Sequence, residues 1–247
     1  MTTGDDKTVR IAMWSGPRNL STALMRSFGN RPDCAVVDEP FYAAYLEMTG
    51  LDHPMRAEIL AHHESDWRKV DKALAGSAPD GRSLWYQKHM THHMLAEIGR
   101  SFMRACRHAF LIRHPARVLS SYAAKREAIE LEDIGFLQQE MLFDEAASMI
   151  GKAPPVVDAN ALLSEPARIL RLLCEALEIP FSDRMLSWPP GPRSTDGVWA
   201  PHWYDAVNRS TGFGLAKPVP LLDEPHLRRL EEQAMPIYER LARHALR

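Results

Sequence analysis

The sequence predicts a three-layer α/β domain around a central parallel sheet. Short apolar runs alternate with longer stretches that repeat apolar residues at helical spacing, and those runs are apolar enough to be buried on both faces. The composition is that of an ordinary globular chain, 45% hydrophobic and 25% charged over 247 residues. A core of this size folds unaided, so one domain over 1–247 is expected.

In chain order, the strands are expected at Val9–Trp14, Ala35–Asp38, Leu84–Lys88, Ala109–Ile112 and Pro155–Asp158. Helical periodicity marks Leu20–Phe28, Ala116–Ile129, Ile134–Ile150 and Pro166–Leu177, with Pro154 and Pro180 at the boundaries. A last helix is expected over Glu224–Leu246. Trp188–Tyr204 holds four prolines, two glycines and three tryptophans, which reads as an ordered but irregular loop.

Thirty Lys plus Arg stand against 32 Asp plus Glu, so no global positive field recruits nucleic acid or an anionic membrane. Met1–Arg10 is polar and no apolar run reaches membrane length, so a cytoplasmic protein is expected. Cys34, Cys106 and Cys174 are far apart and lack metal-ligand spacing, which suits buried free thiols.

Ligands of open α/β sheets sit beyond the carboxyl ends of the strands, and the unusual residues fall there. After the first strand, Ser15-Gly16-Pro17-Arg18-Asn19-Leu20-Ser21-Thr22 leads into a helix. A helix start offers unpaired N–H groups, Ser21 and Thr22 add hydroxyls, and Arg18 adds a planar fork, a combination suited to phosphate or sulfate. The ordinary alternative is that Asn19 or Ser21 caps the helix and Arg18 is a surface charge. A nucleoside-triphosphate P-loop needs a Gly-Lys-Ser/Thr ending, where this chain has Ser21, Thr22 and Ala23. Without that lysine and metal-binding hydroxyl, kinase chemistry is disfavoured while an anion cradle remains. Further along, Arg113-His114-Pro115 ends the fourth strand, and Ser121 follows eight residues after Arg113 on the next helix. This is either a second phosphate site or a structural Arg beside a packed serine.

Together these segments resemble the sulfotransferase family. Pro17–Thr22 is similar to its 5'-phosphosulfate loop, and Arg113-His114-Pro115 with Ser121 to its 3'-phosphate motif. Val156–Pro166, continuing through Leu172 to Pro180-Phe181, is similar to a third family stretch, a strand with a following loop and helix. Leu20 stands where many members have glycine, Ala23 where the cytosolic branch has the tryptophan that stacks adenine, and Asn160 where an acidic residue is usual, so a divergent bacterial-style member is expected. The resemblance implies a P-loop nucleotide-binding-like fold. It implies transfer of a sulfuryl group from 3'-phosphoadenosine-5'-phosphosulfate to a hydroxyl or amine of a small-molecule acceptor, with no metal required. Arg18, Asn19, Leu20, Ser21 and Thr22 would hold the 5' end, Arg113 and Ser121 the 3'-phosphate, and Arg209 is the nearest copy of a C-terminal nucleotide contact.

Two bases compete. Glu39 follows the second strand and matches a strand-then-glutamate context used in several family branches, with Asp38 as its near alternative. His89 follows the third strand, and imidazole has the better unperturbed pKa. Lys88 would offset charge on the leaving oxygen. His89, His92 and His93 also fall at i, i+3 and i+4, a spacing that would gather three imidazoles on a helix face. Two other functions are compatible with the same cradle: a phosphotransferase or nucleotide hydrolase, and a non-catalytic nucleotide-binding module.

Overall fold

Along β1 (Val9–Ser15), Ala12 and Trp14 enter one apolar core while Ile11 and Met13 enter another, the period-2 alternation of a strand buried on both faces. The computed structural model describes residues 8–124 and 129–247. Five strands form one parallel sheet in the order β2-β3-β1-β4-β5, where β2 is Cys34–Asp38, β3 Leu84–Met90, β4 Cys106–Ile112 and β5 Val156–Asp158. Four of them contain the runs expected from sequence, and β5 starts one residue later than expected, after Pro155.

The helices are α1 (Ser21–Gly29), α2 (Tyr42–Thr49), α3 (Arg56–His62), α4 (Trp67–Leu74), α5 (Pro115–Ala123) and α6 (Phe136–Ile150). They continue with α7 (Ala159–Ser164), α8 (Pro166–Ala176), α9 (Ala200–Trp203), α10 (Asp205–Asn208) and α11 (Pro225–Ala242). Apolar faces of α1 and α8 cover one side of the sheet, through Leu24, Met25 and Phe28 and through Ile169, Leu170 and Leu173. Those of α4, α5, α6 and α11 cover the other, through residues such as Leu74, Leu119, Phe143 and Leu230. The result is the expected three-layer arrangement.

Local chemistry sets the ends. Helix α6 begins two residues later than the periodicity indicates because Gly135 turns the chain at φ 70. The expected reach of α5 to Ile129 crosses 125–128, outside the described residues. The loop expected after β5 is the short helix α7, capped by Asp158, whose carboxylate accepts from the N–H groups of Asn160 and Ala161 at 2.8 and 3.1 Å. Helix α11 stops at Ala242, and Leu246 N–H donates to Val156 O at 2.9 Å, tying the tail to β5. Cys34 and Cys174 are buried, Cys106 is half-buried, and all three are free thiols.

Candidate functional site

The loop after β1 is held open by two left-handed non-glycine residues, Arg18 at φ 61 and Leu20 at φ 70. Each such conformation costs roughly 1–2 kcal/mol for a side chain with a Cβ, strain that a packed fold retains where geometry is needed. Leu20 is the N-cap of α1 and no side chain caps it, so the first-turn N–H groups are left for a ligand. The capping alternative for Asn19 and Ser21 is therefore corrected. Asn19 is buried and its Nδ2 donates to Leu111 O at 3.2 Å, so its side chain fastens the loop to β4 instead of entering the cleft. Gly16 is required by close approach, since a Cβ there would lie 2.8 Å from the Ile134 carbonyl oxygen. Arg18, Leu20, Ser21 and Thr22 line a cavity of about 310 Å³ at the carboxyl ends of the strands.

Arg113 and Ser121 enter the same cavity from β4 and α5. Arg18 Nε donates to Ser121 Oγ at 2.9 Å, and Arg113 Nη1 donates to Arg18 O at 2.7 Å, so two motifs about a hundred residues apart form one cationic wall. Among the described residues neither arginine makes an ion pair. Burial, with Arg117 and Arg18 nearby, pulls Arg113 down to about 10, and burial also lowers Arg18. A bound anion would offset these neighbouring positive charges.

The other end of the cavity is built on β2 and β3. Asp38 pairs with Lys88 in the sheet register, and Glu39 N–H donates to Lys88 O at 3.0 Å. Glu39 sits at φ 44, a strained conformation that turns its side chain into the cavity. Lys88 Nζ donates to Glu39 Oε1 at 2.5 Å, Asp38 Oδ1 at 2.8 Å and Tyr204 OH at 2.8 Å. An ammonium has three protons, and all three are used. Lys88 thus holds the two carboxylates together at the cavity wall. Tyr204 OH in turn donates to Asp38 Oδ2 at 2.7 Å and accepts from Trp199 Nε1 at 3.2 Å. The carboxylates push Lys88 well above its ordinary value against the opposing effect of burial, whereas burial raises Glu39 against the pull of Lys88. A carboxyl raised in this way, with one oxygen still available, is suited to accept a proton.

His89 lies elsewhere. Successive strand residues face opposite sides, so with Lys88 at the cleft, His89 points into the core, where it stacks on Trp14 at 4.6 Å and packs at a tilt against Phe102 at 5.0 Å. It is 1% exposed and does not line the cavity, which corrects its assignment as a base. The three-imidazole helix face is corrected for the same reason: His89 belongs to β3, while His92 and His93 lie in the following turn. Arg209 is exposed and outside the cavity lining, although its neighbours Ser210 and Gly212 are part of it.

Desolvation lowers His89 to about 3. The unfolded chain therefore binds this proton near the ordinary value of about 6.5 while the folded chain does not, so stability is fully present above 6.5 and is lost as pH falls toward 3. His89 alone should remove about 2 kcal/mol between pH 6.5 and pH 5. Urea midpoints across that range check this, and His89→Asn should flatten the slope while lowering overall stability.

Several site residues were not singled out from sequence. Tyr42, His53, Trp203 and Tyr204 line the cavity beside Glu39. Tyr204 and Trp203 come from the Trp-rich loop, whose density of buried aromatics was the available signal. That loop is bolted to α1, because Arg26 makes a buried bidentate ion pair with Asp196 and donates to Asn208 Oδ1 at 3.1 Å.

Comparison with known proteins bears on what this cleft belongs to. A family model described as a sulfotransferase domain matches residues 9–245. Two Arabidopsis thaliana proteins, branched-chain-amino-acid aminotransferase-like proteins 2 and 1, are 37% and 40% identical over 95% of this chain. The chain spans only 41% and 42% of their lengths. Among solved structures, the sulfotransferase domain from the curacin biosynthetic pathway superposes with a TM-score of 0.51 at 15% identity, covering 92% of this chain and 98% of that one. A sulfotransferase from Alicyclobacillus acidocaldarius superposes with a TM-score of 0.54 at 13% identity, covering 95% and 94% of the two chains. These likenesses show the fold, and the match over almost the whole chain shows the family: this chain belongs to the sulfotransferase-domain family.

Proposed function

We propose that the chain transfers a sulfuryl group from 3'-phosphoadenosine-5'-phosphosulfate to a hydroxyl or amine of a small-molecule acceptor. The observation that carries this is a single cavity that joins the Arg18–Ser121–Arg113 wall to the Glu39 carboxylate. The residues fit the donor, because an uncapped helix start, two hydroxyls and two arginines that make no ion pair among the described residues face one space. The open N–H groups of α1 with Ser21, Thr22 and Arg18 would hold the phosphosulfate, and Arg113 with Ser121 the 3'-phosphate. As the acceptor oxygen or nitrogen attacks sulfur, Glu39 takes its proton, the new bond to sulfur forms, and the sulfur–oxygen bond to the phosphate breaks. Negative charge then grows on the phosphate oxygen, where Arg18 and the helix start stabilise it.

The direct test is binding of 3',5'-diphosphoadenosine without metal. At a hundredfold excess over its Kd, linkage adds about 2.7 kcal/mol, which raises Tm by about 5–10 °C for a chain of this size. A shift that needs ATP and magnesium would instead support the phosphotransferase reading, and binding without turnover over a broad acceptor panel would support the non-catalytic module. Arg113→Ala should weaken binding of this nucleotide by about 10- to 100-fold, the loss of a charge-assisted bond, and leave its 3'-dephosphorylated analogue nearly unaffected. Equal loss for both would assign Arg113 to the Arg18 carbonyl alone.

A further inference from the structure

We infer that the acceptor end of the cavity selects compounds that carry no negative charge and present a flat, apolar body beside the reacting hydroxyl. The inference rests on the donor and base assignments proposed above. The sheet separates the two ends. Arg18 and Arg113 follow β1 and β4, on the donor side, whereas Glu39 follows β2 and Lys88 belongs to β3.

At the β2–β3 end the charged groups are Lys88, Asp38 and Glu39. Lys88 is 1% exposed and each of its protons already has an acceptor, so it offers nothing to an incoming anion. With Glu39 ionised the cluster carries one net negative charge, and with Glu39 protonated it carries none. In neither state is there a net positive charge to offset a carboxylate, phosphate or sulfate on the acceptor.

The remaining wall is aromatic or apolar apart from the imidazoles of His53 and His92, which also line the cavity. Tyr42, Met90, His93 and Trp203 line it. His93 stacks between Tyr42 at 4.5 Å and Tyr45 at 4.9 Å, and His92 lies 4.3 Å away. Burial and the neighbouring imidazoles push His93 well below its ordinary value, so it adds no cation. The Tyr42 hydroxyl is engaged with His53 Nδ1 at 3.0 Å. Such a wall gains by covering a planar apolar body, and an acceptor anion placed there would be desolvated beside Glu39 with no partner.

Three compounds of one shape test this: 4-methylbenzyl alcohol, 4-(aminomethyl)benzyl alcohol and 4-(hydroxymethyl)benzoate. Binding is measured by calorimetry with and without saturating 3',5'-diphosphoadenosine. With the nucleotide covering Arg18 and Arg113, the neutral and cationic alcohols should bind and the benzoate should bind at least about tenfold more weakly, as expected for like charges at close range; without it the open arginines should narrow that gap. Trp203→Ala should weaken the two alcohols about tenfold while leaving nucleotide affinity unchanged. Glu39→Gln should shrink the penalty on the benzoate to within about threefold, because the cluster then carries no net charge. Equal or tighter binding of the benzoate with the nucleotide bound, an unchanged penalty in Glu39→Gln, or no binding of any of the three would overturn the inference. If the nucleotide fails to bind while the order among the three compounds holds, the donor reading falls and the selectivity of the chamber stands.

Discussion

Replacing Glu39 with glutamine should lower turnover by about 10²- to 10⁴-fold while nucleotide affinity hardly changes, the range typical of a lost general base. Glutamine keeps the size of the side chain and still presents an oxygen to Lys88 Nζ, now 2.5 Å from Glu39 Oε1, so the cluster stays assembled. What disappears is the oxygen that takes a proton. Because the bond is lost only as the acceptor attacks, kcat and kcat/KM should fall together. The measurement is sulfate transfer from labelled donor, beside nucleotide affinity for the same variant. Full activity in Glu39→Gln would remove Glu39 from the chemistry, and a fall in nucleotide affinity would give it a binding role instead. His89→Asn should leave kcat largely intact and lower Tm, since His89 packs on Trp14 and Phe102 in the core.

The parts of this architecture that sequence makes legible are those decided locally. The first strand is an apolar run buried on both faces, and Pro17–Thr22 follows it at the sheet's carboxyl edge, where ligands of such folds gather. Helix α2 escapes the same reading for a physical reason: Tyr42 through Leu46 are all buried, so no polar face exists to give a helical stripe. The choice between Glu39 and His89 is not local either. It depends on which side of β3 faces the cleft, and adjacent strand residues differ by one step of the pleat. Only the register, Asp38 against Lys88 and Trp14 against His89, decides it. Tyr204 lies 116 residues from the lysine it touches, in a loop with no regular periodicity, and no pattern in the chain announces that contact. Leu20 adopts the left-handed conformation that a glycine favours, so the loop shape is held at a cost in backbone strain.

The cluster around Lys88 carries the largest stability effect expected of a single substitution. Lys88→Met keeps the length of the stem and removes the ammonium, leaving Asp38, 4% exposed, and Glu39 beside one another without their cation. Breaking a buried ion pair from one side costs about 3–5 kcal/mol, more than the pair itself contributes, because a desolvated charge is left uncompensated. Urea unfolding should show that loss as a lower midpoint at unchanged slope. The dependence on pH should also change. Burial already raises Glu39 in the native protein, and without Lys88 to pull it down the rise should grow, so its stabilising contribution, present in acid and lost as pH rises through the folded value, should grow with it. His89 opposes this in both proteins by weakening them in acid. The triple variant Asp38→Asn, Glu39→Gln, Lys88→Met removes every charge and should recover much of the lost stability, since replacing a whole buried ion cluster is often nearly neutral. A Lys88→Met protein as stable as the native one would show that the carboxylates reach water without the lysine, and that the cluster serves neither to position Glu39 nor to hold the Trp-rich loop.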